Sequence, residues 1–274
     1  MLENLTEQFF KQFSNQTLRY HLGDDIKFNL QREKELSPEL KNTEIPDDEV
    51  LYTINSLGNR CDEFTEESEL PILFMGCSDT WGTGLRLSQT WAVRLLDFIK
   101  EATNKKIAYW NIARCGSSVD GQYWLLKNWI NKIKLKYIFF LIPLPYRRLI
   151  YFEKRMHEFR LMPPMIDYNP LRQYAMAFTD ESFALQNIEI HLNCINYITK
   201  LNNVKVFCTE RWGYYRTEQS ALVNDIIPTL DNFSYVHNNG IMVDVARDRA
   251  HWGPESNRIF AEHFWNNVKD KIIV

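Results

Sequence analysis

Three side chains in this sequence have the types and the order needed to take a proton from a hydroxyl and hold it. Ser78 lies in ILFMGCSDTWGTGL (residues 72–85), where an apolar run meets a glycine-punctuated turn; Asp248 and His251 lie in DVARDRAHWGP (residues 244–254). A serine hydroxyl is a weak nucleophile until an imidazole accepts its proton, and the imidazole needs a carboxylate to fix its tautomer. Asp248 and His251 are three residues apart, so one turn of helix would put them on a shared face. Ser, Asp and His then supply nucleophile, orienter and base. Asp244 competes with Asp248 as orienter, and the bland alternative has His251 and Asp248 doing no more than capping the final helix.

These residues need a scaffold that delivers them to one place. From residue 71 onward apolar strands alternate with amphipathic stretches, the pattern of βα units around a parallel sheet. Strands are expected at 72–76, 107–112, 137–142, 204–208 and 241–245, and helices at 87–102, 122–133, 183–201, 219–230 and 255–272. Ligands in such sheets bind beyond the carboxyl ends of the strands, which is where Ser78, NIARCGSS (111–118), IPLPYRR (142–148) and DVARDRAHWGP fall. The stretch 143–180 breaks the rhythm and is expected to be a long loop acting as a lid or binding wall. Residues 1–70, charged and broken by Pro38 and Pro46, are expected to form an extension wrapping a core of 71–274. Within that extension, residues 51–64 are expected to be a surface strand or clasp with no chemistry.

Other chemistries find less support. The five cysteines (Cys61, Cys77, Cys115, Cys194, Cys208) are odd in number and lack a CxxC pair, which argues against a disulfide framework or a zinc site. Cys77 and Cys115 adjoin the candidate serine, but both are expected to be small buried residues. The remaining histidines are scattered without metal-ligand spacing, the tryptophans read as packing, and the GTG turn at 82–84 lacks the Lys-Ser/Thr of a phosphate loop. A net charge of −3 and a pI near 6.1 give no reason to expect nucleic acid or an anionic membrane. The start, MLENLTEQFFKQF, is unlike a signal peptide, and no apolar run is long enough to span a bilayer. A cytoplasmic protein, or a component of a particle assembled inside a cell, is the expectation.

Taken together, the motifs resemble those of the SGNH (GDSL-type) hydrolases, over about residues 71 to 265. GCSDT is similar to their first block, with Ser78 as nucleophile and its own amide as an oxyanion donor. NIARCG is similar to the second, with the Gly116 amide as another donor, and DRAH to the last, carrying Asp248 and His251. INSLGNRCDEF resembles a segment ahead of the catalytic block in some members. The resemblance implies a flavodoxin-like three-layer α/β/α fold with a five-stranded parallel sheet, no cofactor, and a carboxylic ester hydrolase acting on a small-molecule or carbohydrate acyl ester. The third block departs from the pattern: IPLPYRR has no Asn to complete the oxyanion hole. Arg147 is the candidate replacement, because a guanidinium at that strand end could stabilise an oxyanion or hold an anionic substrate; the bland alternative makes Tyr146, Arg147 and Arg148 a solvated helix start. Two further outcomes follow from this defect and from the 143–180 stretch: a binding or structural module of an assembly, or acyl transfer.

Overall fold

A strand covered by helices on both faces buries every side chain, so it reads as an unbroken apolar run. LPILFM and YIFFLI are two such runs. In the computed structural model, which describes residues 16–18, 38–41, 50–63, 68–144, 147–152, 155–160, 181–210, 225–238 and 242–272, both lie in the middle of the sheet. The chain first forms β1 (Thr17–Leu18) and β2 (Tyr52–Thr53), which pair antiparallel, with the short helix α1 (Pro38–Lys41) between them in sequence. The main sheet contains β3 (Leu70–Met75), β4 (Ile107–Asn111), β5 (Tyr137–Ile142), β8 (Lys205–Glu210) and β9 (Phe233–Tyr235). Its order is β4-β3-β5-β8-β9 and every pairing is parallel. In chain order this is 2-1-3-4-5, the flavodoxin-like winding, whose topological switch point lies between β3 and β5.

Alternation along the strands separates two cores. Ile72, Phe74, Phe139, Leu141 and Phe207 face α3 (Trp91–Thr103) and α6 (Pro254–Ile272), whose Trp91, Leu95, Ile99, Phe260, Phe264 and Val268 recur at helical spacing. Trp91 meets Phe74 edge-on with ring centroids 5.3 Å apart and stacks on Phe264 at 5.9 Å. The opposite residues, among them Leu73, Met75, Ile138, Phe140 and Val206, pack against α4 (Val119–Trp129) and α5 (Glu181–Leu201) through Leu125, Leu126, Ile188, Leu192 and Ile195. Each fully buried side chain of this size contributes about 1.5–3 kcal/mol of transfer free energy.

Several boundaries depart from the sequence expectation. The fifth strand is Phe233–Tyr235 and not 241–245. Val245 and Ala246 are apolar because they are buried below the candidate site, and Val245 makes an isolated antiparallel bridge to Trp252 that closes the loop between them. Phe233–Tyr235 is only three residues long and half-buried at the sheet edge, so it carries little apolar signal. Of the helix expected at 219–230, residues 219–224 lie outside the described residues, and its end is the 3-10 turn Ile227–Thr229. Leu87–Gln89 is also a 3-10 turn; α3 begins only after Thr90, whose hydroxyl accepts the Val93 amide. The stretch expected to be a loop contains an antiparallel hairpin, β6 (Arg147–Phe152) with β7 (Arg155–Arg160), consistent with the strand-forming run Leu149–Phe152.

Candidate functional site

Ser78 opens the short helix α2 (Ser78–Trp81) directly after β3, at the switch point. Glycine is required just before it: Gly76 has φ +151, and a Cβ there would meet Thr80 Oγ1 at 2.3 Å and the Leu141 carbonyl at 3.0 Å. The turn is therefore tight enough to aim Ser78 out of the strand. As the first helical residue, Ser78 has an amide with no intrahelical acceptor. Asn111, at the end of β4, steadies α2 by donating from Nδ2 to the Thr80 carbonyl at 2.9 Å.

The far end of the sequence brings an imidazole to this serine. His251 Nε2 lies 2.7 Å from Ser78 Oγ, and His251 Nδ1 hydrogen-bonds Asp248 Oδ2. Asp248 is fully buried, and its other oxygen accepts the amides of Ala250 (3.2 Å) and His251 (3.1 Å). Burial alone would raise the Asp248 carboxyl pKa, but the facing imidazole and these hydrogen bonds outweigh it and hold the pKa below the ordinary aspartate range. The two residues meet in a turn and not, as the spacing suggested, on a helix: α6 begins only at Pro254. Asp244, the competing orienter, is occupied elsewhere. It caps α6, accepting the amides of Glu255 (2.9 Å) and Ser256 (2.7 Å) and the Ser256 hydroxyl (2.6 Å). Arg247 N donates to the Gly84 carbonyl at 3.3 Å, joining the histidine loop to the serine loop.

Gly116 has φ +83 in an exposed turn, and a Cβ there would meet nothing within 4 Å. Its glycine character therefore serves backbone conformation and not packing. Next to it, buried Ser117 accepts Gln122 Nε2 on its hydroxyl at 2.8 Å, while Gln122 Oε1 accepts the Gly76 amide at 3.0 Å. One glutamine thus ties the glycine turn to the end of the serine strand. Arg147 reaches the same turn, donating from Nη1 to the Ser117 carbonyl at 3.3 Å. Arg147 and Arg148 are each 7% exposed and open a strand, which corrects the reading of a solvated helix start.

A second correction concerns residues 51–64, of which 51–63 are described. They form a clasp, but its inner side is buried against the serine loop and is not confined to the surface. Arg60 is 1% exposed and donates to three carbonyls of the serine loop: Trp81 (2.9 Å), Gly82 (2.5 Å) and Leu85 (2.6 Å). Its guanidinium lies 4.4 Å from the Tyr52 ring centroid and 4.9 Å from that of Trp81. Tyr52 Oη accepts the Gly84 amide at 2.9 Å. Arg114, in the glycine turn, donates back to the Gly58 carbonyl at 2.5 Å and to Asn59 Oδ1 at 3.3 Å. Sequence reasoning missed Arg60 because its partners lie 21 to 25 residues away and are backbone carbonyls. The only local hint was an arginine in a turn rich in Asn and Gly.

The thiols fit poorly as nucleophiles. Burial pushes Cys115 up to about 12, and its sulfur lies 3.2 Å from Thr83 Oγ1; Cys77 is buried with its sulfur toward Asp79. Trp81, Trp110 and Trp252 are buried, whereas Trp212, His21 and the side chain of His157 lie outside the described residues.

No family model matches the chain, and no curated protein matches it. Solved structures do. TesA is 14% identical with a TM-score of 0.50 over 73% of this chain and 98% of its own. A family 3 carbohydrate esterase from Clostridium thermocellum is 13% identical with a TM-score of 0.51 over 74% and 96%. A protein described as a GDSL-like lipase, from Parabacteroides merdae, is 12% identical with a TM-score of 0.50 over 76% and 99%. The chain has the α/β/α fold of the GDSL/SGNH esterases and lipases.

Proposed function

We propose that the protein is a serine ester hydrolase whose nucleophile is Ser78, carried by residues 71–274 with residues 1–70 as an extension. The observation that supports this best is the line Ser78 Oγ, His251 Nε2, His251 Nδ1, Asp248 Oδ2, joined by hydrogen bonds across 173 residues of sequence. With Asp248 accepting from Nδ1, the neutral imidazole keeps its lone pair on Nε2, facing the serine. His251 removes the Ser78 proton as Oγ attacks the acyl carbonyl, then returns it to the departing alcohol. Water, deprotonated by the same nitrogen, attacks the acyl-enzyme; the bond to Oγ breaks, the acid leaves, and His251 returns the proton to Ser78. The amides of Ser78 and Gly116 donate hydrogen bonds to the carbonyl oxygen as negative charge develops on it; each such donor is worth ~10²- to 10³-fold in turnover.

A short acyl group on a carbohydrate, such as an O-acetyl, is the proposed substrate class, and the carbohydrate esterase among the structural neighbours supports it. Among the described residues no helix is long and apolar enough to cross a membrane. The test is labelling by a fluorophosphonate together with hydrolysis of p-nitrophenyl acetate, each with Ser78→Ala as control. Labelling and turnover that vanish in Ser78→Ala are expected. Folded wild-type protein that neither labels nor turns over would instead favour a binding module on the same fold.

A further inference from the structure

Among the described residues, charge at the carboxyl end of β5 does not balance. Two buried arginines, Arg147 and Arg148, stand side by side at the start of β6. Arg148 has an anion in Asp120, whose field supports the cation while burial lowers its pKa. The Asp120 carboxylate also accepts the amides of Gly121 and Leu149, both at 3.0 Å. At the end of β8, Glu210 is paired in register with Ile142, but it takes the Tyr235 hydroxyl, and burial raises its pKa toward the neutral acid. Arg147 has no carboxylate among the described residues. Its guanidinium makes one hydrogen bond, from Nη1 to the Ser117 carbonyl, and Nε is buried with no acceptor.

A buried cation is costly to hold without an anion. A transient oxyanion would leave this one uncompensated through most of the catalytic cycle, whereas a permanent anion on the substrate would compensate it from the moment of binding. The free edge also has the right shape: Nε with the neighbouring Nη2 is a two-pronged donor that matches the two oxygens of a carboxylate. Its place is also suitable. The Ser117 carbonyl that Arg147 holds adjoins Gly116, and Gln122 links Ser117 to Gly76, two residues before Ser78.

We infer that Arg147 is a specificity residue that receives a carboxylate on the substrate, so that the preferred esters of this site are acidic, such as acylated sugar acids or acylated hydroxy acids. This rests on the ester hydrolase reading. The test compares 4-acetoxybenzoate with its neutral near-isostere 4-acetoxybenzamide. In the wild type the kcat/KM ratio should favour the benzoate roughly 10-fold or more, chiefly through KM, as a charge-assisted two-pronged contact gives. Arg147→Met should bring the ratio to about one, and Arg147→Lys, which keeps the charge but not the fork, should restore part of it. A wild-type ratio near one, or a ratio that survives in Arg147→Met because both esters lose equally, overturns the assignment. Preference for 4-acetoxyphenyl phosphate over the benzoate overturns the carboxylate in favour of a phosphate.

A binding arm needs no turnover: 4-hydroxybenzoate should raise the Tm of Ser78→Ala and leave that of Ser78→Ala/Arg147→Met unmoved, and no rise in either would count against the site. The two readings fail separately. Fluorophosphonate labelling of Ser78 without charge preference removes the anion site alone. An Arg147-dependent Tm rise in protein that never labels removes the hydrolase alone.

Discussion

Replacing Arg60 by Met removes a cation that lies against the mutually stacked Tyr52 and Trp81 rings and takes the guanidinium from the carbonyls of Trp81, Gly82 and Leu85, of which Gly82 still accepts the Leu85 amide. A buried polar group left unsatisfied costs about 1–3 kcal/mol, and removing each cation–π interaction adds about 0.5–2 kcal/mol. Release of a buried charge and entry of water offset part of that sum. A net loss of about 3–4 kcal/mol remains, which for a domain of this size lowers Tm by roughly 6–16 °C. The same loop carries Ser78, and a displacement of about 1 Å at a reacting atom can cost ~10²-fold in rate. The assay is a thermal melt paired with p-nitrophenyl acetate turnover well below Tm. Arg60→Lys should fall between wild type and Arg60→Met, because an ammonium keeps the charge but neither the stack nor the three-carbonyl geometry. A melt of Arg60→Met within about 2 °C of wild type would refute the energetic argument. Large destabilisation with wild-type turnover would show that the clasp holds the fold and not the serine.

Other perturbations separate the parts of the site. Asp248→Asn keeps the volume but lets an amide donate to His251 Nδ1, favouring the wrong tautomer, so kcat should fall by roughly 10⁴ with little change in KM. The same variant tests the depressed carboxyl: a folded-state pKa below the unfolded one contributes stability above the ordinary aspartate pKa, lost as pH falls through the folded value, so the Tm gap between wild type and variant should narrow below about pH 4. Gly116→Ala meets no steric neighbour, so its backbone cost of about 1 kcal/mol should be small beside the turnover loss of ~10²-fold expected as the amide rotates away; unchanged turnover in a variant whose residue-116 amide has moved, read from its NMR chemical shift, would exclude that amide from the oxyanion. Asp244→Ala should destabilise by about 1–2 kcal/mol through loss of the α6 cap, measured by denaturant melts, and Asp244→Asn should recover most of it.

How much of this was legible in the sequence depended on how local each signal was. The runs of β3 and β5 are apolar because both faces are covered, so the sheet interior could be read directly; β9 is a three-residue edge strand and could not. Ser78 stood out because it ends an apolar strand run, and Asp248 and His251 because of their mutual spacing, although the strand expected just before them does not form. Arg60, Arg114 and Gln122 did not, because each acts on groups far away in sequence, and a buried polar side chain looks like a surface one until its partners are known. Arg147 and Arg148 show the same limit: two adjacent arginines suggest solvent, whereas in the fold one reaches the turn at Ser117 and the other lies in the field of Asp120.

The tie between Trp91 N and Asn257 Oδ1 spans 166 residues, much like the bond from Ser78 to His251. It has a consequence for the order in which the molecule is made. All five strands of the sheet precede Asp244 in the chain, so a nascent chain can build the sheet and the serine turn while the hydroxyl still has no imidazole beside it. Until α6 arrives, Trp91, Phe74 and Phe139 also lack the cover of Phe260 and Phe264. Bringing the imidazole to Ser78 and closing the second core are thus one late event, and a ribosome-bound chain stalled before residue 244 should be inert to a fluorophosphonate while exposing an apolar sheet face.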